Sequence, residues 1–237
     1  MKINDRLKKI GDLVEANSFC LDVGCDHAFL DIYLVQRGEN IKAIASDVKE
    51  GPLNHARENI NKYHLEDKIE CRLGNGLDTY SDEVDTIIIS GLGGRSMIGI
   101  FKSHLEVLKK VNTIILSPNN YQEDVKRFLC KHHFYLSNEE LVKEGKFIYQ
   151  ILVFSRGKRR YSRREYFFGP VLLEKKGKLF DEYYKRELVS REILIKVLPK
   201  NYRWKKFLVK KEIQMLKEEI NKGSMSNSVG ETKTYDK

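Results

Sequence analysis

Short apolar runs constrain the fold of this chain more than any other feature of its sequence. "TIIIS" (86–90) and "TIILS" (113–117) offer apolar residues to both faces of a strand, which is typical of strands that are covered on both sides. Similar runs at 19–23, 41–46 and 69–73 alternate with stretches of helical periodicity. This order favours an α/β fold with a doubly wound, mostly parallel sheet and right-handed crossovers.

The connecting segments complete this prediction. Two later runs, 134–142 and 146–154, flank the turn "KEG" and are expected to form an antiparallel hairpin at the end of the sheet. Because 41% of the 237 residues are hydrophobic, the chain can cover such a sheet with a sizeable core. Helical spacing of apolar residues predicts helices near 4–16, 27–37, 51–63, 94–109 and 121–132.

The last third of the chain has a different character. Residues 171–198 and 203–221 each show a helical stripe of apolar residues, and the turn "LPKNY" lies between them. We expect these helices to pack as an antiparallel, coiled-coil-like pair. The final segment is polar and rich in Gly and Ser, which favours disorder. The predicted domains are 1–155 for the sheet, 156–222 for the basic helical pair and 223–237 for a disordered tail.

Charge is distributed unevenly between these parts. Residues 1–155 carry 20 basic and 23 acidic side chains, whereas residues 156–237 carry 23 and 11, so the net charge of +9 arises entirely from the last third. From Arg156 to Arg164, six of nine residues are basic and none is acidic. Such asymmetry indicates a polyanionic partner, although a lysine-rich, solvated helical surface would give the same composition.

The sequence also indicates the compartment. No stretch approaches the roughly 18 consecutive apolar residues of a membrane span, and the first 17 residues lack the apolar region of a secretory signal. The four cysteines form no CxxC pair, which predicts reduced thiols and no metal site. We therefore expect a cytoplasmic protein that does not associate with membranes, and a monomer is favoured over an oligomer.

The stretch "CLDVGCDHAFLD" (20–31) places a glycine directly after the first strand. Ligands of doubly wound folds bind beyond the carboxyl ends of the strands, and Gly24 would let a ligand approach the backbone closely. A dinucleotide fingerprint requires glycine at the positions that Asp26 and Phe29 occupy. A carboxylate would repel a pyrophosphate, which excludes NAD and FAD, and no GxxxxGK[ST] motif is present for a P-loop nucleotide.

A ligand with a ribose and a cationic amine, but without phosphate, fits this corner better. Asp47 ends the second strand, 23 residues after Gly24, where a carboxylate can accept hydrogen bonds from ribose hydroxyls. Asp22 can accept a hydrogen bond from an ammonium group or hold the turn. Asn75, in "GNGL" (74–77), either contacts an adenine ring or is an ordinary turn residue.

Six stretches carry a family resemblance: "LDVGCDHAFLD", "ASDVKEGPLNHA", "GNGL", "ISGLGG", "LSPNN" and "FGP". With them the chain resembles the class I S-adenosylmethionine-dependent methyltransferases, and more narrowly the bacterial tRNA adenine-N1 methyltransferases that act on position 22 of tRNA. The resemblance covers residues 4–221 and implies a Rossmann-like sheet with an antiparallel last strand, S-adenosyl-L-methionine as cofactor and tRNA as partner. Asn75 departs from the family, in which this position often carries an acid.

The resemblance also implies the site residues. Adenine N1 is already nucleophilic, so catalysis consists mainly of positioning the base and stabilising the positive charge that develops on it. The catalytic candidates are Asp26 as the stabilising carboxylate, His27 beside it, and Asn119 as an amide partner of the base. In the alternative interpretation, Asp26 caps the next helix and Asn119 belongs to a turn. The candidate cofactor-binding residues are Asp22, Gly24, Cys25, Asp47, Val48, Asn75, Gly76 and Gly91.

Recognition of RNA requires a further surface. Adenine N1 lies on the Watson–Crick edge, so the target must be unpaired while the protein holds the RNA by its backbone. A methyltransferase for another RNA, a protein or a small molecule remains an alternative, as does a non-catalytic RNA-binding protein on this fold. The candidate RNA-binding residues are Lys8, Lys9, Arg95, Arg156, Arg159, Arg160, Arg163, Arg164, Lys205 and Lys206.

Overall fold

A computed structural model of the chain describes the backbone of residues 3–228 and the side chains of residues 3–222. The chain forms two compact units, Met1–Val171 and Leu172–Lys237. This division falls later than the expected boundary after residue 155. The segment that follows the hairpin packs with the first unit, where Phe168 is fully buried.

The first unit contains seven strands and most of the helices. The strands are β1 Phe19–Val23, β2 Lys42–Asp47, β3 Ile69–Leu73, β4 Thr86–Ser90, β5 Thr113–Ser117, β6 Phe134–Glu144 and β7 Phe147–Arg156. The helices are α1 Asp5–Asp12, α2 Phe29–Gln36, α3 Glu50–Lys62, α4 Gly94–Ser103, α5 Gln122–Lys131, α6 Arg163–Phe168 and α7 Pro170–Lys175, which crosses into the second unit. The second unit contains α8 Lys178–Val197 and α9 Arg203–Ser228.

The sheet has the order β3-β2-β1-β4-β5-β7-β6. Strands β1 to β5 pair in parallel, and β7 inserts antiparallel between β5 and β6. This arrangement confirms the predicted mostly parallel sheet with an antiparallel last strand. The all-apolar runs lie at its centre, where Ile88 pairs with Ile115 and both side chains are fully buried.

Helices cover the sheet on both faces, as the all-apolar strands required. On one face, Ile10 of α1, Leu30 of α2 and Leu53 of α3 pack in a single apolar cluster. On the other face, a second cluster contains Met97 of α4 and Leu129 of α5. Each fully buried side chain of this size stabilises the fold by about 1.5–3 kcal/mol relative to exposure.

A buried ion pair anchors the chain after the hairpin. The Nζ of Lys126 in α5 lies 2.9 Å from Oε1 of Glu139 in β6, and both side chains are fully buried. The other carboxylate oxygen of Glu139 accepts a hydrogen bond from the Val171 amide at 3.0 Å. Gly169 lies against this carboxylate, and a Cβ at position 169 would stand 2.3 Å from a Glu139 oxygen. Because the carboxylate needs this space, the glycine of the "FGP" motif is required here.

The structure corrects several predicted element boundaries. The single helix predicted over 171–198 is interrupted at Lys176 and Gly177, which both have positive φ angles, and the short helix α6 was not predicted. Helix α9 continues to Ser228, beyond the predicted end at 221, whereas the remaining residues of the predicted disordered tail lie outside the described part of the chain. Within residues 3–228, no helix has both the length and the apolar composition needed to cross a bilayer.

Candidate cofactor and catalytic site

Five neighbouring parallel strands end along one edge of the sheet. The loops after β1, β2, β3, β4 and β5 therefore meet there, at the position where α/β sheets bind ligands. These loops and the strand ends before them carry most of the predicted site: Asp22, Gly24, Asp26, His27, Asp47, Val48, Asn75, Gly91 and Asn119. The structure thus gathers residues that are distant in sequence into one candidate site.

Gly24 forms the corner after β1. Its φ angle is +82°, and a Cβ at this position would have nothing within 4 Å. The left-handed backbone requires glycine, and the open space above it allows a ligand to approach. The amides of Gly24 and Cys25 both donate to the carbonyl oxygen of Ser46, at 2.8 and 2.9 Å. Since these two amides are occupied, neither is available to a phosphate.

Cys25 and Gly76, two of the cofactor-binding candidates, are both buried. The Cys25 thiol is buried in the apolar core, and burial raises its pKa far above the ordinary value. Gly76 is buried with a φ of +61°, and a Cβ there would stand 2.9 Å from Ile100. Packing and backbone conformation are consistent with a structural role for both residues, and their contact with a cofactor stays a prediction. The exposed neighbours Val48 and Asn75 stay candidates for contact.

Two acids lie behind the corner, and only one was predicted. Asp22 at the end of β1 is 4% exposed, and burial, followed by the charges of Asp31 and Asp47, raises its pKa. Asp31 of α2 is fully buried, and neither carboxylate oxygen has a hydrogen-bond partner within the described residues. Burial raises the pKa of Asp31 to about 7. Asp31 could have been recognised in the sequence as an acid at an inward-facing position of an otherwise apolar helix.

Asp47 ends β2 as predicted and faces partly into solvent. One of its carboxylate oxygens accepts a hydrogen bond from the Lys49 amide at 2.8 Å, which orients the side chain. The backbone carbonyl of Asp47 accepts from the Gly74 amide at 3.0 Å and joins the second loop to the third. A carboxylate held in this way is preorganised to accept hydrogen bonds from a ribose.

Asp26 does not cap the next helix. Helix α2 begins at Phe29, its N-cap residue is Ala28, and no side chain caps it. The Asp26 side chain is 76% exposed, and its Oδ1 lies 3.6 Å from Nε2 of His27. Asp26 and Ala28 both adopt left-handed φ angles, +52° and +56°, a strain that non-glycine residues often show at functional sites. The exposed carboxylate is therefore available to a substrate.

The loops after β4 and β5 are bound to each other. The side-chain amide of Asn119 donates to the Gly91 carbonyl at 2.6 Å, and the Asn119 backbone amide donates to Leu92 at 2.9 Å. A Cβ on Gly94 would stand 2.5 Å from the carbonyl oxygen of Asn120. Close contact between the loops thus accounts for Gly94, while Gly91, with a φ of +80°, faces the site. The Asn119 amide nitrogen is partly committed to structure, which leaves its oxygen for a base.

Arg6 is a basic residue of the site that the sequence analysis missed. Its Nη2 would lie 3.9 Å from a Cβ on Gly91, and its guanidinium stacks over the Tyr149 ring at 4.3 Å. The exposed Lys8 was selected from the same helix, together with Lys9. The spacing of Arg6 from the buried Ile10, one turn later, was the sign that Arg6 lies on the inner side of α1.

The structure does not bring the basic segment after β7 to this edge. Arg156 donates to the backbone carbonyls of Leu108 and Val111, before β5 and thus at the opposite edge of the sheet. Its guanidinium is engaged in structure while the residue is exposed, and its assignment as an RNA contact stays a prediction. The Tyr161 hydroxyl accepts from the Leu136 amide at 3.0 Å, and Arg159 stacks on this tyrosine ring at 5.4 Å. The ring is thereby anchored and not free for a base.

The other predicted RNA contacts occupy varied positions. Arg95 in the first turn of α4 stacks over Tyr121 at 4.1 Å and lines a surface cavity between α4 and α5 with Lys102 and Arg127. Arg160, Arg163 and Arg164 lie in or just before α6, and Lys205 and Lys206 lie near the start of α9.

Comparisons with known proteins identify the family of the chain. Residues 20–222 match the family model of TrmK, the tRNA (adenine(22)-N(1))-methyltransferase. The tRNA (adenine(22)-N(1))-methyltransferase of Bacillus subtilis strain 168 is 28% identical over 195 residues, which cover 79% of this chain and 82% of that protein.

Two crystal structures extend the comparison to the fold. A Streptococcus pneumoniae protein in complex with S-adenosyl-L-methionine has a TM-score of 0.84 and 33% identity, covering 92% of this chain and 100% of that one. The Bacillus subtilis m1A22 tRNA methyltransferase TrmK has a TM-score of 0.83 and 25% identity, covering 92% and 99%. The family model spans more than four fifths of the sequence, and the chain therefore belongs to the TrmK family of tRNA (adenine(22)-N(1))-methyltransferases.

Proposed function

We propose that this protein transfers a methyl group from S-adenosylmethionine to N1 of adenosine 22 in tRNA. The observation that carries the proposal is the family match over residues 20–222, whose matched region includes the loops after β1 to β5. The chain's own residues also fit such a cofactor. The corner at Gly24 is open, its amides are occupied, and acids stand at the ends of β1 and β2.

Two acids of the cofactor site would bind different parts of the cofactor. Asp47 would accept hydrogen bonds from the ribose hydroxyls, because its side chain is oriented by the Lys49 amide. Asp22 would meet the cationic amine, whose positive charge would offset the burial that raises the pKa of this carboxyl. When bound, S-adenosylmethionine supplies the activated methyl group.

The chain's contribution to methyl transfer is positioning and electrostatics. The exposed carboxylate of Asp26 would stabilise the positive charge that forms on the adenine, with His27 beside it. The Oδ1 of Asn119 would accept a hydrogen bond from the exocyclic amine of the base. Gly91 leaves room for a flat ring, and the guanidinium of Arg6 next to it would contact the RNA.

A methylation assay with a defined RNA tests this proposal. We expect label from methyl-labelled S-adenosylmethionine to enter a tRNA transcript with adenosine at position 22, and not a transcript with guanosine there. Mass spectrometry should locate the product as 1-methyladenosine. Incorporation that persists with guanosine 22, or that occurs only in protein, would overturn the proposed target.

A matched pair of variants tests the role of Asp26. Asp26→Asn keeps the size of the side chain and is expected to lower kcat by about 100-fold or more, with cofactor affinity retained in calorimetry. The control Asp67→Asn removes one exposed charge outside the site. Equal kcat values for the two variants would remove Asp26 from the mechanism.

A further inference from the structure

The start of α9 exposes an aromatic pair. Trp204 is 71% exposed and Phe207 is 44% exposed, and their rings stack with centroids 5.5 Å apart and planes inclined by 29°. The Nζ of Lys211 lies 4.5 Å from the Phe207 centroid. Large exposed aromatic side chains that are prearranged in this way mark binding surfaces.

The charge around this pair identifies the chemistry of its partner. Residues 198–211 contain six cations and no acid: Lys200, Arg203, Lys205, Lys206, Lys210 and Lys211. Within the described part of the chain, none of the six forms an ion pair. Elsewhere in the same helical pair cations are neutralised, as Arg191 is by Glu187 and Glu212. The unneutralised charge at the start of α9 therefore favours a polyanion.

Flat aromatic rings beside free ammonium groups are the combination that binds single-stranded nucleic acid. Cations neutralise the phosphates, while the face of an aromatic ring accepts an unpaired base of any identity. We propose that Trp204 and Phe207, flanked by Lys205 and Lys211, form a stacking site for an unpaired nucleobase of the RNA substrate. This site lies in the second compact unit, separate from the loops that carry methyl transfer. The proposal rests on the proposed function only for the identity of the RNA.

The sequence supplies a direct probe, because Trp204 is the single tryptophan of the chain. Fluorescence excited selectively in tryptophan should be quenched when tRNA, or a short unpaired oligoadenylate, is added to the full-length protein. A blunt RNA duplex of equal phosphate content should quench much less, since its bases are already stacked. Equal quenching by duplex and unpaired RNA would mean that phosphates alone bind near the ring, which overturns the stacking site.

Variants separate stacking from charge. Trp204→Leu is expected to weaken binding of labelled tRNA by roughly 5- to 150-fold without changing the salt dependence, because stacking releases no counterions. Lys205→Gln is expected to reduce the salt slope by about one counterion. The control Val189→Ala shortens an exposed apolar side chain of α8 and should leave tRNA affinity unchanged.

The outcomes also show whether a failure concerns the stacking site or the proposed function. If the wild-type protein methylates tRNA while Trp204→Leu binds it as tightly as Val189→Ala, the stacking site is wrong and the function stands. If Trp204→Leu instead changes the sedimentation coefficient and leaves RNA affinity intact, the surface binds a second copy, and the proposal again fails. Unchanged helical content in circular dichroism shows that the helical pair is folded in the variants, and unchanged cofactor affinity in calorimetry shows the same for the first unit.

Discussion

Asp31→Asn is expected to stabilise the protein at neutral pH much more than in acid. The Asp31 carboxyl is fully buried and has no hydrogen-bond partner within the described residues, so its charged form is poorly solvated. Burial raises its pKa from 3.8 to about 7. At about 1.4 kcal/mol per pKa unit, this difference corresponds to roughly 4 kcal/mol.

The direction follows from the two protonation states. Below about pH 4, the carboxyl is protonated in both the folded and the unfolded chain, so its ionisation does not affect the free energy of unfolding. Between about pH 4 and 7 the unfolded chain releases its proton while the folded chain keeps it, so stability falls as the pH rises. Above pH 7 the folded protein carries the buried charge and the full cost is present. Of the roughly 4 kcal/mol by which the buried carboxyl destabilises the folded protein, roughly 2.5 kcal/mol should develop between pH 5 and pH 8.

The assay is urea unfolding of the wild type and of Asp31→Asn at pH 5 and pH 8, followed by circular dichroism. The asparagine does not ionise, so the difference in free energy of unfolding between the two proteins should grow by roughly 2.5 kcal/mol over this range. Asp67→Asn controls for the removal of an exposed negative charge. The argument would be refuted by a difference for Asp31→Asn that stays constant with pH, because the buried carboxyl would then not titrate in this range.

Three further changes test other parts of the structure. Asp47→Ala is expected to weaken S-adenosylmethionine binding by about 10- to 100-fold in calorimetry, through loss of hydrogen bonds to a charged group, and unchanged affinity would contradict its ribose role. Gly169→Ala should lower the free energy of unfolding by about 3 kcal/mol or more, because its Cβ would meet the buried Glu139. The control Gly38→Ala is also at positive φ but in open space, and it should lower this free energy by about 1 kcal/mol. Arg159→Glu should weaken tRNA binding and lower its salt slope by about one counterion, and an unaltered slope would mean that the basic segment at the far edge of the sheet does not contact RNA.

Much of the fold could be predicted because its information is local. The runs "TIIIS" and "TIILS" became the central strands β4 and β5 with the predicted limits at 113–117, since a strand with no polar face can be placed only between two apolar layers. Asp22, Gly24 and Asp47 could be assigned to the site for a related reason. The carboxyl ends of parallel strands form one edge, so a residue at a strand end is placed by the strand itself.

Only the tertiary structure decided features that depend on partners distant in the chain. The sequence places Arg156 in a run of cations predicted to bind RNA, whereas in the structure its guanidinium donates to the carbonyls of residues 108 and 111. Gly169 is required by Glu139, which lies 30 residues earlier. No local pattern encodes such contacts, because they exist only after the sheet has brought the segments together.

The sequence by itself thus determined the sheet, its ligand edge and the concentration of positive charge in the last third. The tertiary structure decided which charged groups are free to act. It left Asp26 exposed, bound Arg156 to backbone carbonyls, and buried Asp31 without a hydrogen-bond partner among the described residues. The physical reason is that periodicity reports whether a side chain faces the core, whereas the state of a charge depends on the solvent and partners that the complete fold leaves around it.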